Sequence, residues 1–163
     1  MSLTANIPQM SVAQPFSTSN RLNLTINPNH KIEGYNNMVV RSWGEVYQTL
    51  KQVPDGYYKE ISINNNLLSY FSMNEIQPIF QFLSMKLEHE GELYLHALDL
   101  DQVCHNITYA TDSIENFNLE IFISGIKAMY SLMTIEPVLN RFKLNTVTKG
   151  YDGKNFYIRS TKV

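Results

Sequence analysis

Residues 58–101 constrain the fold more than any other stretch. They begin with a β-rich run, Tyr58-Lys-Glu-Ile-Ser-Ile-Asn64. A polar break follows, and then Ile76, Ile79, Phe80, Leu83 and Leu87 recur at the spacing of one helix face. Ser72 with Glu75 three residues later is the signature of a capped helix start. Gly91 marks a tight turn, Glu92-Leu-Tyr-Leu-His96 alternates like a strand, and Asp99 or Asp101 opens a further helix. Strand, helix, strand, helix is the grammar of a βαβ crossover, so the chain is expected to build a largely parallel α/β sheet.

The flanking segments extend that grammar. Leu22, Leu24 and Ile26 alternate with polar residues as a first strand, stopped by Asn27-Pro28-Asn29. Residues 37–41 read as a second strand. Ser42 with Glu45 caps a helix whose apolar face is Trp43, Val46, Tyr47 and Leu50. Leu100, Val103, Cys104 and Ile107 share one helical face, which makes Cys104 a core residue by expectation. Residues 114–130 are harder to assign; Ile121, Phe122, Ile126 and Met129 fit a helix. Thr134 is expected to cap a short helix with Pro137 in its first turn. Two β-rich runs around Asp152-Gly153-Lys154 read as a closing antiparallel hairpin. Residues 1–20 are polar and lack apolar periodicity, so they are expected to be a flexible arm on a single domain spanning 21–163.

Composition narrows the function classes. Thirteen Lys and Arg against fifteen Asp and Glu give a net charge of −2, with no basic surplus for nucleic acid. The single cysteine excludes an internal disulfide framework. No run approaches the ~18 apolar residues of a membrane span, and the first residues lack a signal-peptide pattern. The expectation is a soluble, cytoplasmic protein, away from membranes, with a protein partner or self-association as the interaction to look for. His30, His89, His96 and His105 have no metal-ligand spacing, and no metal is expected. The cluster 88–92 reads as a solvated turn.

Several segments, taken in order, resemble the class I S-adenosylmethionine-dependent methyltransferases, and most of all the small single-domain members common in bacteria and phages. They are Leu22-Asn23-Leu24, Ile32-Glu33-Gly34-Tyr35, Tyr58-Lys-Glu-Ile61, residues 87–93, Leu98-Asp99-Leu100-Asp101, Met133-Thr134-Ile135-Glu136, Val138-Leu139 and Phe142-Lys-Leu144. The resemblance runs from residue 21 to 163 and implies a Rossmann-like methyltransferase fold: an abbreviated, mostly parallel sheet with a C-terminal antiparallel hairpin. The departures fall on the cofactor positions. The family's Gly-x-Gly loop is Thr25-Ile26-Asn27-Pro28 here, although glycine lets the backbone approach a ligand and adopt positive φ. No acid stands near Met38 and Val39 to hold ribose hydroxyls. Leu67-Leu68-Ser69 replaces Leu-Glu-His, and His89-Glu90-Gly91-Glu92 replaces the Pro-Gly-Gly turn.

The resemblance therefore implies a degenerate member that has lost S-adenosylmethionine, has no cofactor, and serves as a binding or structural module. The alternative is a divergent, active S-adenosylmethionine-dependent methyltransferase of unknown substrate. In that case the cofactor-binding residues are expected at the carboxyl edge of the sheet, namely Asn27, Asn64, Asn65, His96 and Asp99.

Overall fold

The computed structural model describes residues 19–109, 113–118 and 125–163. Strand β1 (Arg21–Thr25) buries Leu22 and Leu24 on one face. It pairs in parallel with β2 (Asn36–Val39) on one side and β3 (Tyr58–Ile63) on the other. β3 pairs in parallel with β4 (Leu87–Leu98), and the hairpin β5 (Leu144–Asp152) and β6 (Asn155–Lys162) adds to β4 in antiparallel fashion through β6. The six-stranded order is β2-β1-β3-β4-β6-β5. The mixed α/β class, the mostly parallel sheet and the closing hairpin are those expected from the sequence.

Three helices feed one core. They are α1 (Trp43–Leu50), α2 (Met73–Lys86) and, before the hairpin, α5 (Leu132–Arg141). Val46 and Leu50, then Ile76, Phe80 and Leu83, then Ile135 and Leu139 join Leu22, Ile61, Leu93, Leu95 and Ile158 in a single apolar cluster. At about 1.5–3 kcal/mol for each large side chain fully buried, this cluster is the main stabilising term. The edge of Trp43 meets the ring of Phe82 at 5.6 Å between centroids, which locks α1 to α2. The opposite face of the sheet is polar. There Arg21, Glu60 and Glu92 stand in register, and Arg159 grips the Glu92 carboxylate through two nitrogens at 2.5 and 3.0 Å. The tyrosyl hydroxyl of Tyr35 donates to Glu60. Burial and this acceptor together push the Tyr35 phenol up to about 12.

Local expectations fare unevenly. The box at Ser72 forms: the Glu75 carboxylate accepts the Ser72 N–H and hydroxyl, each at 2.8 Å. At Ser42 only half forms, with its Oγ accepting the Glu45 N–H at 3.3 Å. Gly91 is not the turn between helix and strand. α2 ends at Lys86 and β4 starts at Leu87, and the irregularity is a bulge inside β4, between the pairs Tyr58–Leu87 and Glu60–Glu92. A β-carbon on Gly91 would lie 2.9 Å from the Glu88 carbonyl oxygen and 3.1 Å from that of Tyr58, so the bulge closes only around glycine.

α3 (Leu100–Thr108) starts at Asp99 as expected, but Cys104 is exposed and Val103 is its one buried residue. The face was misassigned because a four-residue apolar pattern on a short helix barely fixes its rotation. Ile126 and Met129 lie outside any helix or strand, while Ile121 and Phe122 lie outside the described residues, as do residues 1–18 of the expected arm. α4 (Ile114–Asn118) is a single short turn of helix. α5 is capped by Ser131 rather than Thr134, so Pro137 falls in its interior. No helix among the described residues is long and apolar enough to cross a membrane.

Candidate functional site

The crevice of a parallel sheet opens where its strands end. Here β1, β2 and β3 end side by side, and a cleft of about 190 Å³ lies beyond them. Ile26 leaves β1 directly into its wall. Val40, Arg41 and Ser42 follow β2, and Trp43 begins α1. On the β3 side a 3-10 helix (Leu67–Tyr70) and Phe71 form the far wall, with Glu75 and Lys127 beside them. The Tyr130 hydroxyl donates to the Phe71 carbonyl and props that wall, and burial pushes this phenol up to about 12. The peptide N–H groups of Lys127 and Ala128 donate to the Ser69 carbonyl at 2.9 and 3.1 Å. These bonds fix the segment carrying Lys127 against the 3-10 helix.

Charge in the cleft is uneven. Glu75 lies 3.6 Å from Lys127. The Ser72 N–H, followed by its hydroxyl and by Lys127, holds the Glu75 carboxyl below the usual carboxylate range. Arg41 is exposed and has no ion-pair partner among the described residues. Among the described residues the lining contains no His, Cys or Asp, and the carboxylate of Glu75 is committed to a helix cap. The described lining residues therefore offer no free general base. No group of three or more His, Cys, Asp or Glu among the described residues could hold a metal.

None of the five residues expected from the sequence belongs to the lining of this cleft. Asn64 is buried and donates to Asn23 Oδ1 at 3.1 Å and Ser62 Oγ at 2.6 Å. Asn65 has φ of 54° and donates to Thr25 Oγ1 at 2.9 Å; asparagine tolerates this left-handed conformation. Asn27 folds its own turn, with its N–H on Thr25 Oγ1 at 3.0 Å and its Oδ1 accepting from Asn29 N–H at 2.9 Å. His96 Nε2 is 4.0 Å from the Asp152 carboxylate at the hairpin. Asp99 is fully buried. One of its carboxylate oxygens accepts the Gln102 N–H at 2.8 Å and the other the Leu132 N–H at 2.9 Å, so a single side chain caps both α3 and α5.

Thus Asn64 and Asn65 gather around the end of β1, whereas His96 and Asp99 serve the end of β4. Arg41 and Lys127 are lining residues that the sequence does not single out. The available signal for Arg41 was its place just past a strand whose end faces the crevice.

No family model matches the sequence, and no curated protein matches it. Among solved structures, an S-adenosylmethionine-dependent methyltransferase from Archaeoglobus fulgidus superposes with a TM-score of 0.58 at 10% identity, covering 90% of this chain and 88% of that one. The fold is that of the Rossmann-like methyltransferases. The mitomycin 7-O-methyltransferase MmcR gives a TM-score of 0.54 at 10% identity, over 78% of this chain and 34% of that one. An O-methyltransferase family 2 protein from Planctomyces limnophilus, in complex with apigenin, gives 0.48 at 19% identity, over 64% and 30%. The chain thus spans about a third of the length of these last two. Against this fold the first crossover is unusual: residues 26–35 join β1 to β2 with no helix. Parallel neighbours usually need a crossover of a dozen or more residues, with a helix in it.

Proposed function

We propose that this chain is a methyltransferase-fold protein that has lost S-adenosylmethionine and works as a binding or structural module, without a cofactor. The observation carrying the proposal is Ile26. It occupies the wall of the cleft where the related fold needs a glycine backbone, and it packs against the core as a partly buried residue. Three further features support the reading. The first crossover has no helix, and so no helix N-terminus faces a ligand there. The end of β2 carries Arg41 rather than an acid. The cleft volume of about 190 Å³ falls below the ~300–1,000 Å³ of ordinary cofactor sites. On this reading the protein acts in the cytoplasm on a protein partner or on a second copy of itself, and descends from a small bacterial or phage enzyme.

A divergent active methyltransferase is the second reading, favoured by the position of the cleft at the carboxyl edge of the parallel strands. It would recruit Asn27, Asn64, Asn65, His96 and Asp99 to S-adenosylmethionine. The side chains of Asn64, Asn65 and Asp99 already make hydrogen bonds within the fold, and such contacts would compete with them. Isothermal calorimetry with S-adenosylmethionine and S-adenosylhomocysteine separates the two. Flat heats from folded protein are expected, and saturable micromolar binding of either compound would favour the enzyme.

A further inference from the structure

We infer that the carboxyl-edge cleft binds a small carboxylate with an aromatic or compact apolar body. This deepens the reading above, since it names a ligand class for the cleft in place of S-adenosylmethionine. The charge balance is the first argument. Glu75 and Lys127 are paired at 3.6 Å and largely cancel, which leaves Arg41 as the charge without an ion-pair partner among the described lining residues. A carboxylate matches the planar fork of arginine and can accept two hydrogen bonds from it. S-adenosylmethionine also has a carboxylate, but its ammonium and sulfonium make it a net cation beside Arg41.

The remaining walls supply the second argument. Ile26, Val40, Leu67 and Phe71 are apolar, and Trp43 and Tyr70 add aromatic residues to the same lining. A cleft with aliphatic and aromatic walls and one free guanidinium recognises an amphipathic anion rather than inorganic phosphate. Size is the third. About 190 Å³ is on the order of the ~150 Å³ apolar cavity that takes up a benzene, the scale of a benzoate-sized molecule. The first turn of α1 begins at this rim and its helix dipole has the same sign preference, though the cavity and Arg41 carry the inference.

The protein holds its own reporter, because Trp43 is its one tryptophan and lines the cleft. The intact chain should be titrated with benzoate, benzyl alcohol and benzylamine while tryptophan fluorescence is followed. Benzoate is expected to give a saturable change, weakened by added salt, with benzyl alcohol at least tenfold weaker and benzylamine silent. Arg41→Gln, an exposed substitution checked for folding by circular dichroism, should weaken benzoate about tenfold to a hundredfold. Glu75→Gln, which keeps a capping-box residue, should strengthen benzoate severalfold. Opposite signs in these two variants distinguish recognition of charge from general loosening. Equal responses to the three probes, unchanged benzoate affinity in Arg41→Gln, or no saturable benzoate response would overturn the inference and leave the loss of S-adenosylmethionine standing. Saturable binding of S-adenosylhomocysteine would overturn that reading instead.

Discussion

The carboxyl edge of the sheet is finished in two different ways. At the end of β4 a buried charge does the work, with Asp99 taking one peptide N–H from each of two helix N-termini. At the end of β1 neutral amides do it. Asn23 donates to Asn37 Oδ1 at 2.8 Å and to the His30 carbonyl at 3.2 Å, and accepts from Asn64. Asn37 in turn holds the Ile32 N–H, the Ile32 carbonyl and the Tyr35 carbonyl. The difference follows from what each end must satisfy. Helix starts offer only donors and favour negative charge, so a carboxylate answers them. The helix-free connection 26–35 offers donors and acceptors together, and only an amide carries both.

Breaking the charged end should have the largest effect. Asp99→Ala strands two peptide N–H groups in a buried site and is expected to cost about 3–4 kcal/mol, read from urea denaturation midpoints. A loss below ~1 kcal/mol would mean that the two helices are held by packing alone. Breaking the amide end comes next. Asn23→Ala leaves Asn37, His30 and Asn64 each short of a partner and should cost about 2–3 kcal/mol. Amide hydrogen exchange should show the loss concentrated in residues 26–35, and a uniform loss across the sheet would refute the clasp.

Gly91 lies at neither end and calibrates both. Gly91→Ala pushes a methyl group into backbone atoms that cannot rotate away, at about 1–2 kcal/mol by the same denaturation assay. The smallest effect is acidic. Glu75 is held below its ordinary value of 4.5, so the native state releases its proton more readily than the unfolded chain. The stability it contributes is present above that value and fades as pH falls through the lower native one. Between pH 5 and 3, Glu75→Gln should show a flatter decline than the parent. Parallel curves would show that the cap contributes no pH dependence.

These contrasts also explain what the sequence revealed. Asp99 as a helix cap, the Ser72–Glu75 box and the Asp152-Gly153-Lys154 hairpin were legible because each is a local pattern with one physical solution. That Asp99 caps a second helix was not, since Leu132 approaches it from far along the chain. Asn64 and Asn65 stood out in the sequence only as candidate ligand contacts, whereas in the fold Asn64 is a buried bridge and Asn65 and Asn66 both hold positive φ. The Gly91 bulge was hidden because a glycine between helix and strand signals a turn by default. The cleft was the least legible part. Its charge depends on Arg41 and Lys127, which are brought together only by tertiary structure.

The strand order has a consequence for synthesis of the protein. β6 is the last element of the sheet to be made, yet it lies inside it, between β4 and β5, in register with Glu92 through Leu98. A nascent chain that has emerged only as far as α5 presents one edge of β4 with no neighbour. Leu93, Leu95 and Ala97 then lack the strand that carries Phe156 and Ile158 beside them. The core is completed only when residues 155–162 leave the ribosome, so translation stalled just before them would expose a long, apolar strand edge of the kind that seeds aggregation.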